Sequence, residues 1–172
     1  LTEDGREKAV GVMRKHRLAE RLLADVIGLD WAYVHEEACR WEHVMSEQVE
    51  LRLLDLLHNP AESPYGNPIP GLGDLRPPVP GTGSAFDRGE RLSVMSGQPG
   101  RYTVVRLTEA IQTDPELLSE LALAGVRPGQ PIEIAASDGY VTVRAADPSA
   151  VAEGGVALEV NAETASHIIV ER

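Results

Sequence analysis

Seven of the twelve prolines in this 172-residue chain lie between residues 60 and 83. Because proline has a fixed φ and no backbone N–H, neither a long helix nor a central strand can pass through such a segment. The segment therefore divides the chain. The residues before it show apolar side chains at helical spacing, and the last 80 or so residues contain short strand-like runs. We expect a multi-domain α + β protein, with a helical domain followed by a small β-barrel.

Three helices are expected before the proline-rich segment. The first covers residues 7–27 and stops at Gly28, the second runs from its cap at Asp30 to about Met45, and the third is capped by Ser46. Such a thin helical unit usually packs against a partner subunit. Residues 3–6 have the composition of a turn, and the chain starts with Leu1 instead of Met. We expect it to be a piece of a longer protein.

The later part of the chain contains strand and turn signals. Strands are expected at residues 101–107, 131–134, 140–143, 157–160 and 167–170. Ser137-Asp138-Gly139 between two of these runs indicates a hairpin. Asp114-Pro115 opens a short helix that Gly125 closes. Several short strands with glycine-rich turns predict a small barrel.

Composition limits the class of protein. The net charge is −11, so the chain is not by itself a nucleic-acid binder, because phosphate contacts require clustered Lys and Arg. A single cysteine excludes an internal disulfide and fits a reducing cytoplasm. No run of 18 apolar residues is present, and we expect no membrane contact.

A group of metal-ligand residues lies on the second predicted helix. On a helix, residues i, i+4, i+7 and i+8 share one face, and these positions are occupied by His35, Cys39, Glu42 and His43. Sulfur, imidazole and carboxylate together suit Fe²⁺, Co²⁺, Ni²⁺ or Zn²⁺. On the first helix His16 and Glu20 stand at i, i+4 and can face His35 if the helices pack antiparallel. The pattern predicts a transition-metal sensor.

Other interpretations of these residues stay open. His35-Glu36-Glu37-Ala38-Cys39 differs from the zinc-protease motif H-E-x-x-H at its last position, so the motif fails, and no other catalytic pattern is present. We therefore expect no enzyme, but a metal-dependent hydrolase or a metal-buffering protein is the alternative. Of the basic residues near His16, Arg14 and Lys15 are expected on a solvated face, whereas Arg17 suits an anion bound together with Ser63 and Asn67.

The chain resembles the iron-dependent regulators of the diphtheria toxin repressor family. The residues that carry this resemblance are VMRKHRLAERLL at 12–23, EACRWEHVMS at 37–46 and SPYGNPIPG at 63–71, with a looser match at RLTEAIQTD, 106–114. The resemblance implies a winged-helix domain that is missing here and ends at residues 1–6. It also implies a helical dimerisation and metal-binding domain over 7–72, a linker over 73–95 and an SH3-like domain over 96–172.

The resemblance also implies three groups of site residues. The primary, regulatory metal site, which the family completes with a methionine from the N-terminal domain, takes Cys39, Glu42 and His43. The ancillary metal site takes His16, Glu20, His35, Glu109 and Gln112. An anion site beside the ancillary metal takes Arg17, Ser63 and Asn67.

The function implied by this resemblance is metal-dependent repression of iron-homeostasis genes by a cytoplasmic homodimer. Such a dimer contacts operator DNA only through the missing N-terminal domain. A manganese-type relative carries a carboxylate where Cys39 stands, so Cys39 favours Fe²⁺, for which Co²⁺, Ni²⁺, Zn²⁺ or Mn²⁺ can substitute.

Overall fold

The computed structural model describes residues 2–77, 88–137, 140–151 and 156–172. The chain divides into two compact units, Leu1–Phe86 and Asp87–Arg172. The first contains helices and the second a six-stranded antiparallel sheet. The expected multi-domain α + β class is therefore confirmed. Within the described ranges, no helix has both the length and the apolar character needed to cross a membrane.

The first helix, α1, spans Glu3–Leu22 and starts earlier than predicted. Thr2 caps it, because its side-chain oxygen accepts a hydrogen bond from Gly5 N at 3.2 Å, and the acidic Glu3 and Asp4 suit a helix N-terminus. The predicted turn at residues 3–6 is therefore wrong. A π-helical turn, Leu23–Ile27, follows, and Gly28 in the left-handed conformation (φ 74°) ends it, as expected.

The second helix is shorter than the spacing argument required. A 3₁₀ turn at Trp31–Tyr33, capped by Asp30, leads into α2, Val34–Trp41. Residues 42–44 form a turn, in which Val44 N donates to Trp41 O at 3.1 Å. Ser46 must be extended (φ −85°, ψ 160°) to cap α3, Glu47–Leu56, so the chain leaves the helix before it. The prediction that His35, Cys39, Glu42 and His43 share one face of a continuous helix is therefore wrong. Glu42 caps α2, and His43 lies beyond its end.

The remainder of the helical unit includes α4, Leu72–Leu75. It follows a compact segment with an isolated β-bridge between Glu62 and Pro68. The predicted linker over 73–95 begins inside α4, and its residues 78–87 lie outside the described residues. Its last part forms β1, Glu90–Arg91, and α5, Leu92–Met95, of the second unit.

The sheet of the second unit has the strand order β1-β6-β2-β3-β4-β5, and all neighbours are antiparallel. Its strands are β2 Gly100–Leu107, β3 Pro131–Ser137, β4 Tyr140–Ala145, β5 Leu158–Asn161 and β6 Ile168–Glu171. The expected hairpin is confirmed by the β3–β4 pairing up to Ser137 opposite Tyr140, although residues 138–139 lie outside the described ranges.

The sheet unit also contains α6 Glu109–Gln112, α7 Pro115–Leu123, a 3₁₀ turn at Pro148–Ala150 and α8 Ala162–Ser166. Asp114 caps α7 as predicted, because its carboxylate accepts from Leu117 N at 3.1 Å. Alternate residues of β2 and β4 are buried, which places one face of the sheet in an aliphatic core. This core contains Leu107, Leu118, Leu121, Ile132, Val143 and Ile168.

Candidate metal centre

Three ligand-type side chains meet where α1 and α2 pack together. His16 and Glu20 lie one turn apart on α1, and His35 lies near the start of α2. His16 Nε2 is 2.8 Å from Glu20 Oε1 and 3.0 Å from His35 Nδ1. Glu20 Oε1 is in turn 3.1 Å from His35 Nδ1. Two nitrogens and one oxygen therefore form a nearly equilateral triangle.

The size of this triangle fits a transition-metal ion. Two ligand atoms at right angles, each about 2.1 Å from a metal ion, lie about 3.0 Å apart. The three edges of 2.8, 3.0 and 3.1 Å match that separation. Imidazole nitrogen and carboxylate oxygen are also ligands that Fe²⁺, Co²⁺, Ni²⁺ and Zn²⁺ accept. The residues present therefore fit one face of a metal coordination sphere.

The triangle is buried and carries a charge that requires a cation. Glu20 is 1% exposed and His16 is 4% exposed. Burial opposes ionisation of Glu20, but hydrogen bonds and charges from His16 and His35 outweigh it and hold the pKa of Glu20 below its ordinary value. Burial would lower the pKa of His16, but Glu20 and Glu42 outweigh it and raise that pKa. A proton on His16 or a bound metal ion can therefore balance the buried carboxylate.

The second predicted group, Cys39, Glu42 and His43, lies directly beside the triangle. Cys39 Sγ is 3.8 Å from His35 Nε2, and one ligand atom each of His16, His35 and Cys39 fall within 4.8 Å of one another. Glu42 Oε2 is 2.7 Å from His16 Nδ1, and Glu42 Oε1 is 3.2 Å from His43 Nε2. The structure thus brings the two predicted groups into contact through His16 and His35.

This second group is more open to solvent than the triangle. Cys39 is exposed, and the His43 side chain is 70% exposed. Partial burial, together with the charges of Glu42 and Glu20, raises the pKa of the Cys39 thiol. A bound metal ion would oppose this shift, because a coordinating thiol is deprotonated. The group therefore has the donors for a soft or borderline metal on an accessible face.

The segment 63–71 positions α2. The Tyr65 side chain is fully buried, its hydroxyl donates to Trp31 O at 2.7 Å, and it accepts from His35 N at 3.2 Å. The segment therefore holds the backbone that carries His35. No role was predicted for Tyr65 from the sequence.

The predicted anion group is buried together with this segment. Arg17, Ser63 and Asn67 are 7%, 3% and 7% exposed. A nitrogen of Arg17 donates to Pro68 O, Ser63 N donates to Asn67 O at 2.8 Å, and the Ser63 hydroxyl accepts from Tyr65 N at 3.2 Å. The three residues thus contribute to the packing of segment 63–71 on α1, and their assignment to an anion stays a prediction.

Arg14 departs from the expected solvated face. It is 8% exposed, its Nε donates to Glu50 Oε1 at 2.8 Å, and its Nη1 donates to Gly71 O at 2.9 Å. This buried ion pair ties α1 to α3 and to the end of segment 63–71. The sequence hardly indicates that Arg14 is buried, because a charged residue on an amphipathic helix normally faces water.

The other two predicted ligands, Glu109 and Gln112, lie on α6 of the sheet unit. Glu109 is exposed, whereas Gln112 is 2% exposed and donates from Nε2 to Leu107 O at 2.7 Å. Gln112 therefore has a structural role within its own unit. The metal-binding roles of both residues stay predictions.

Comparison with known proteins agrees with this geometry. Residues 2–71 match the family model described as iron dependent repressor, metal binding and dimerisation domain. The chain belongs to the iron-dependent repressor family. It is 52% identical to the iron-dependent repressor IdeR of Mycobacterium tuberculosis H37Rv over 140 residues, which are 81% of this chain and 60% of that protein. It is 45% identical to the diphtheria toxin repressor of Corynebacterium diphtheriae over 143 residues, covering 83% of this chain and 62% of that protein.

Solved structures of this family have the same fold. The crystal structure of T. acidophilum IdeR matches with a TM-score of 0.72 at 29% identity, covering 99% of this chain and 70% of that one. A manganese-dependent transcriptional repressor in complex with manganese matches with a TM-score of 0.74 at 28% identity, covering 99% and 73%. The helical domain followed by an SH3-like domain is therefore the fold of this family member. The chain spans about 60% of the length of the curated relatives it matches.

Proposed function

We propose that this chain is the metal-sensing and dimerisation part of a repressor that binds operator DNA in response to Fe²⁺. The observation that carries the proposal is the triangle of His16 Nε2, Glu20 Oε1 and His35 Nδ1, whose edges fit a metal ion. Two imidazoles and a buried carboxylate supply the donor atoms of this triangle. A bound divalent ion supplies positive charge and fixed coordination directions at this point.

The two groups of ligands have different roles in this proposal. His16, Glu20 and His35 form the ancillary site, which is buried between α1 and α2. Cys39, Glu42 and His43 form the regulatory site, which is open to solvent and accepts a further ligand from outside these 172 residues. Because the thiol and imidazoles must lose protons to bind metal, the affinity of both sites falls at acid pH. The proposed roles of Glu109 and Gln112 as metal ligands, and of Arg17, Ser63 and Asn67 as an anion group, belong to the same assignment.

Homodimerisation through the helical unit belongs to the same proposal. Large apolar side chains are exposed on this unit, including Val26 at 53%, Ile27 at 53% and Val44 at 83%. Exposed apolar groups of this kind mark protein–protein contacts when they are contiguous, and a dimer places two DNA-binding domains at a fixed spacing. We place this repressor in the cytoplasm with its DNA and assign it no enzymatic reaction.

The ligand assignment is tested by titrating Co²⁺ into the chain and following its d–d absorption. We expect His16→Ala to remove the tighter binding class, and Cys39→Ser to remove the weaker class together with its thiolate charge-transfer band. His58→Asn is the matched control, because His58 is an exposed histidine of the same unit in a left-handed conformation (φ 56°) that Asn tolerates. Full stoichiometry in both site variants would show that the ligand assignment is wrong.

The repressor function is tested with the whole protein. We expect it to bind operator DNA with Fe²⁺ under anaerobic conditions and to release the DNA when a chelator is added. DNA binding that does not depend on metal would contradict the proposal. Metal-dependent hydrolysis, or metal binding with no effect on DNA affinity, would instead support the hydrolase or metal-buffering alternative.

A further inference from the structure

Both ring nitrogens of His16 have ligand-type neighbours. Nε2 faces the triangle, 2.8 Å from Glu20 Oε1 and 3.0 Å from His35 Nδ1. Nδ1 faces the opposite way and lies 2.7 Å from Glu42 Oε2. An ionised carboxylate only accepts hydrogen bonds, so Glu42 favours a proton on Nδ1, just as Glu20 favours a proton on Nε2. When Nε2 binds a metal ion it carries no proton, and the proton that remains on Nδ1 then donates to Glu42.

Glu42 is placed firmly enough to impose this arrangement. It caps α2, with its backbone N–H donating to Ala38 O at 3.0 Å, and its side chain is only 16% exposed. The oxygens of its carboxylate point to different partners, Oε2 to His16 Nδ1 and Oε1 to His43 Nε2 at 3.2 Å. One carboxylate therefore contacts a residue from each of the two ligand groups.

We propose that Glu42 is a positioning residue for the His16 ligand and that the His16–Glu42 hydrogen bond joins the two metal groups into one coupled unit. This inference rests on the metal-binding function proposed above. A metal-binding histidine normally donates its other N–H to a carboxylate or carbonyl, which fixes its tautomer and orientation. Here that carboxylate is itself assigned as a ligand of the neighbouring site. When a metal ion at one site fixes either His16 or Glu42, the hydrogen bond between them orients the other residue at the neighbouring site. The metal affinities of the two sites are therefore coupled, and the coupling is reciprocal.

The first test isolates the ancillary group in a Cys39→Ala background, in which the regulatory site has lost its sulfur ligand. Co²⁺ affinity is measured for this chain and for the same chain with Glu42→Ala added. Loss of a second-sphere partner of this kind typically costs about 10–100-fold in metal affinity, and we expect a loss in that range. Glu42→Gln, whose amide oxygen still accepts from Nδ1, should lose less affinity. Equal affinity with and without Glu42 would overturn the inference.

The second test uses the chain with bound Zn²⁺, which is diamagnetic. ¹⁵N NMR of the His16 imidazole then identifies the metal-bound nitrogen and the protonated nitrogen. We expect zinc on Nε2 and the proton on Nδ1, where it donates to Glu42. Zinc on Nδ1 in the unmodified chain would overturn the inference even if Glu42→Ala unfolded.

A third variant separates this inference from the proposed function. His16→Ala in the Cys39→Ala background should abolish the remaining Co²⁺ binding. If it does so while Glu42→Ala has no effect, the ancillary site stands and only the coupling fails. If Cys39→Ala alone binds no Co²⁺, or binds it equally with and without His16, the proposed metal site itself fails.

Discussion

Eight of the nine polar or charged side chains that are buried within the described ranges lie in the helical unit, and only Gln112 lies in the sheet unit. The eight are Arg14, His16, Arg17, Glu20, His35, Glu50, Ser63 and Asn67. Burying a charge is costly unless it is paired and hydrogen-bonded, whereas burying aliphatic side chains is favourable without further conditions. The sheet unit is therefore built mainly for stability. The helical unit contains a polar interior, of which Arg14 and Glu50 join helices and His16, Glu20 and His35 supply donors of the type that metal ions accept.

The largest effect expected from this contrast follows from breaking the buried Arg14–Glu50 pair. Glu50→Leu leaves the guanidinium of Arg14 with only the exposed Asp74 carboxylate, at 3.4 Å, and we expect a loss of about 3–5 kcal/mol in the free energy of unfolding. The double variant Arg14→Met, Glu50→Leu should recover most of this loss. Urea unfolding followed by tryptophan fluorescence measures it, because Trp31 and Trp41 are the only tryptophans and both lie in the helical unit. Equal losses in the single and double variants would contradict the explanation.

A comparable change in the sheet unit should affect only stability. Leu118 is fully buried on α7, and Leu118→Ala leaves an apolar cavity. We expect a loss of about 2–5 kcal/mol, seen by calorimetry, with the Co²⁺ affinity of the His16 group unchanged. A large change in that affinity would show that the two units are not specialised in the way described above.

Metal should stabilise the helical unit through Glu20. At a free metal concentration of one hundred times Kd, a site that binds only the folded chain adds about 2.7 kcal/mol to the free energy of unfolding. We expect Glu20→Gln to lose most of this gain, because the variant lacks the buried anion. Glu36→Gln is the matched control, since Glu36 lies on α2 with a side chain 59% exposed. The unfolding transition is followed by tryptophan fluorescence with and without Co²⁺. If Co²⁺ still shifted this transition in Glu20→Gln, the role of Glu20 would be disproved.

The smallest effect concerns pH in the metal-free chain. The pKa of His16 in the folded chain is raised above 6.5, so its protonation stabilises the fold fully below pH 6.5 and this stabilisation is lost as the pH rises through the folded pKa. With metal bound the trend should reverse, because the ligands must be deprotonated. Urea unfolding between pH 6 and pH 9, with chelator or with Co²⁺, measures how the free energy of unfolding depends on pH in each case. The pH dependence seen with chelator should be absent in His16→Gln and retained in His58→Asn.

Much of the local structure is predictable from short-range chemistry. The caps at Asp30, Ser46 and Asp114, the stop at Gly28 and the β3–β4 hairpin follow from backbone preferences of a few adjacent residues, and all are confirmed. The extent of α2 was not predictable in this way. Helical spacing placed His43 on the same face as His35, but α2 ends at Trp41 and residues 42–44 form a turn. Spacing arguments hold only while the helix continues, and the signals of the adjacent residues did not place its end at Trp41.

The sequence by itself determined which donors are available and which of them share a helix. His16 and Glu20 must be neighbours, because residues four apart on a helix lie on one face. Only the tertiary structure decided that His35 Nδ1 completes the triangle, that Glu42 reaches the other nitrogen of His16 and that Arg14 is buried against Glu50. These contacts join residues 19, 26 and 36 positions apart. Contacts of that separation depend on how α1, α2 and α3 pack against one another, and no local backbone preference specifies this.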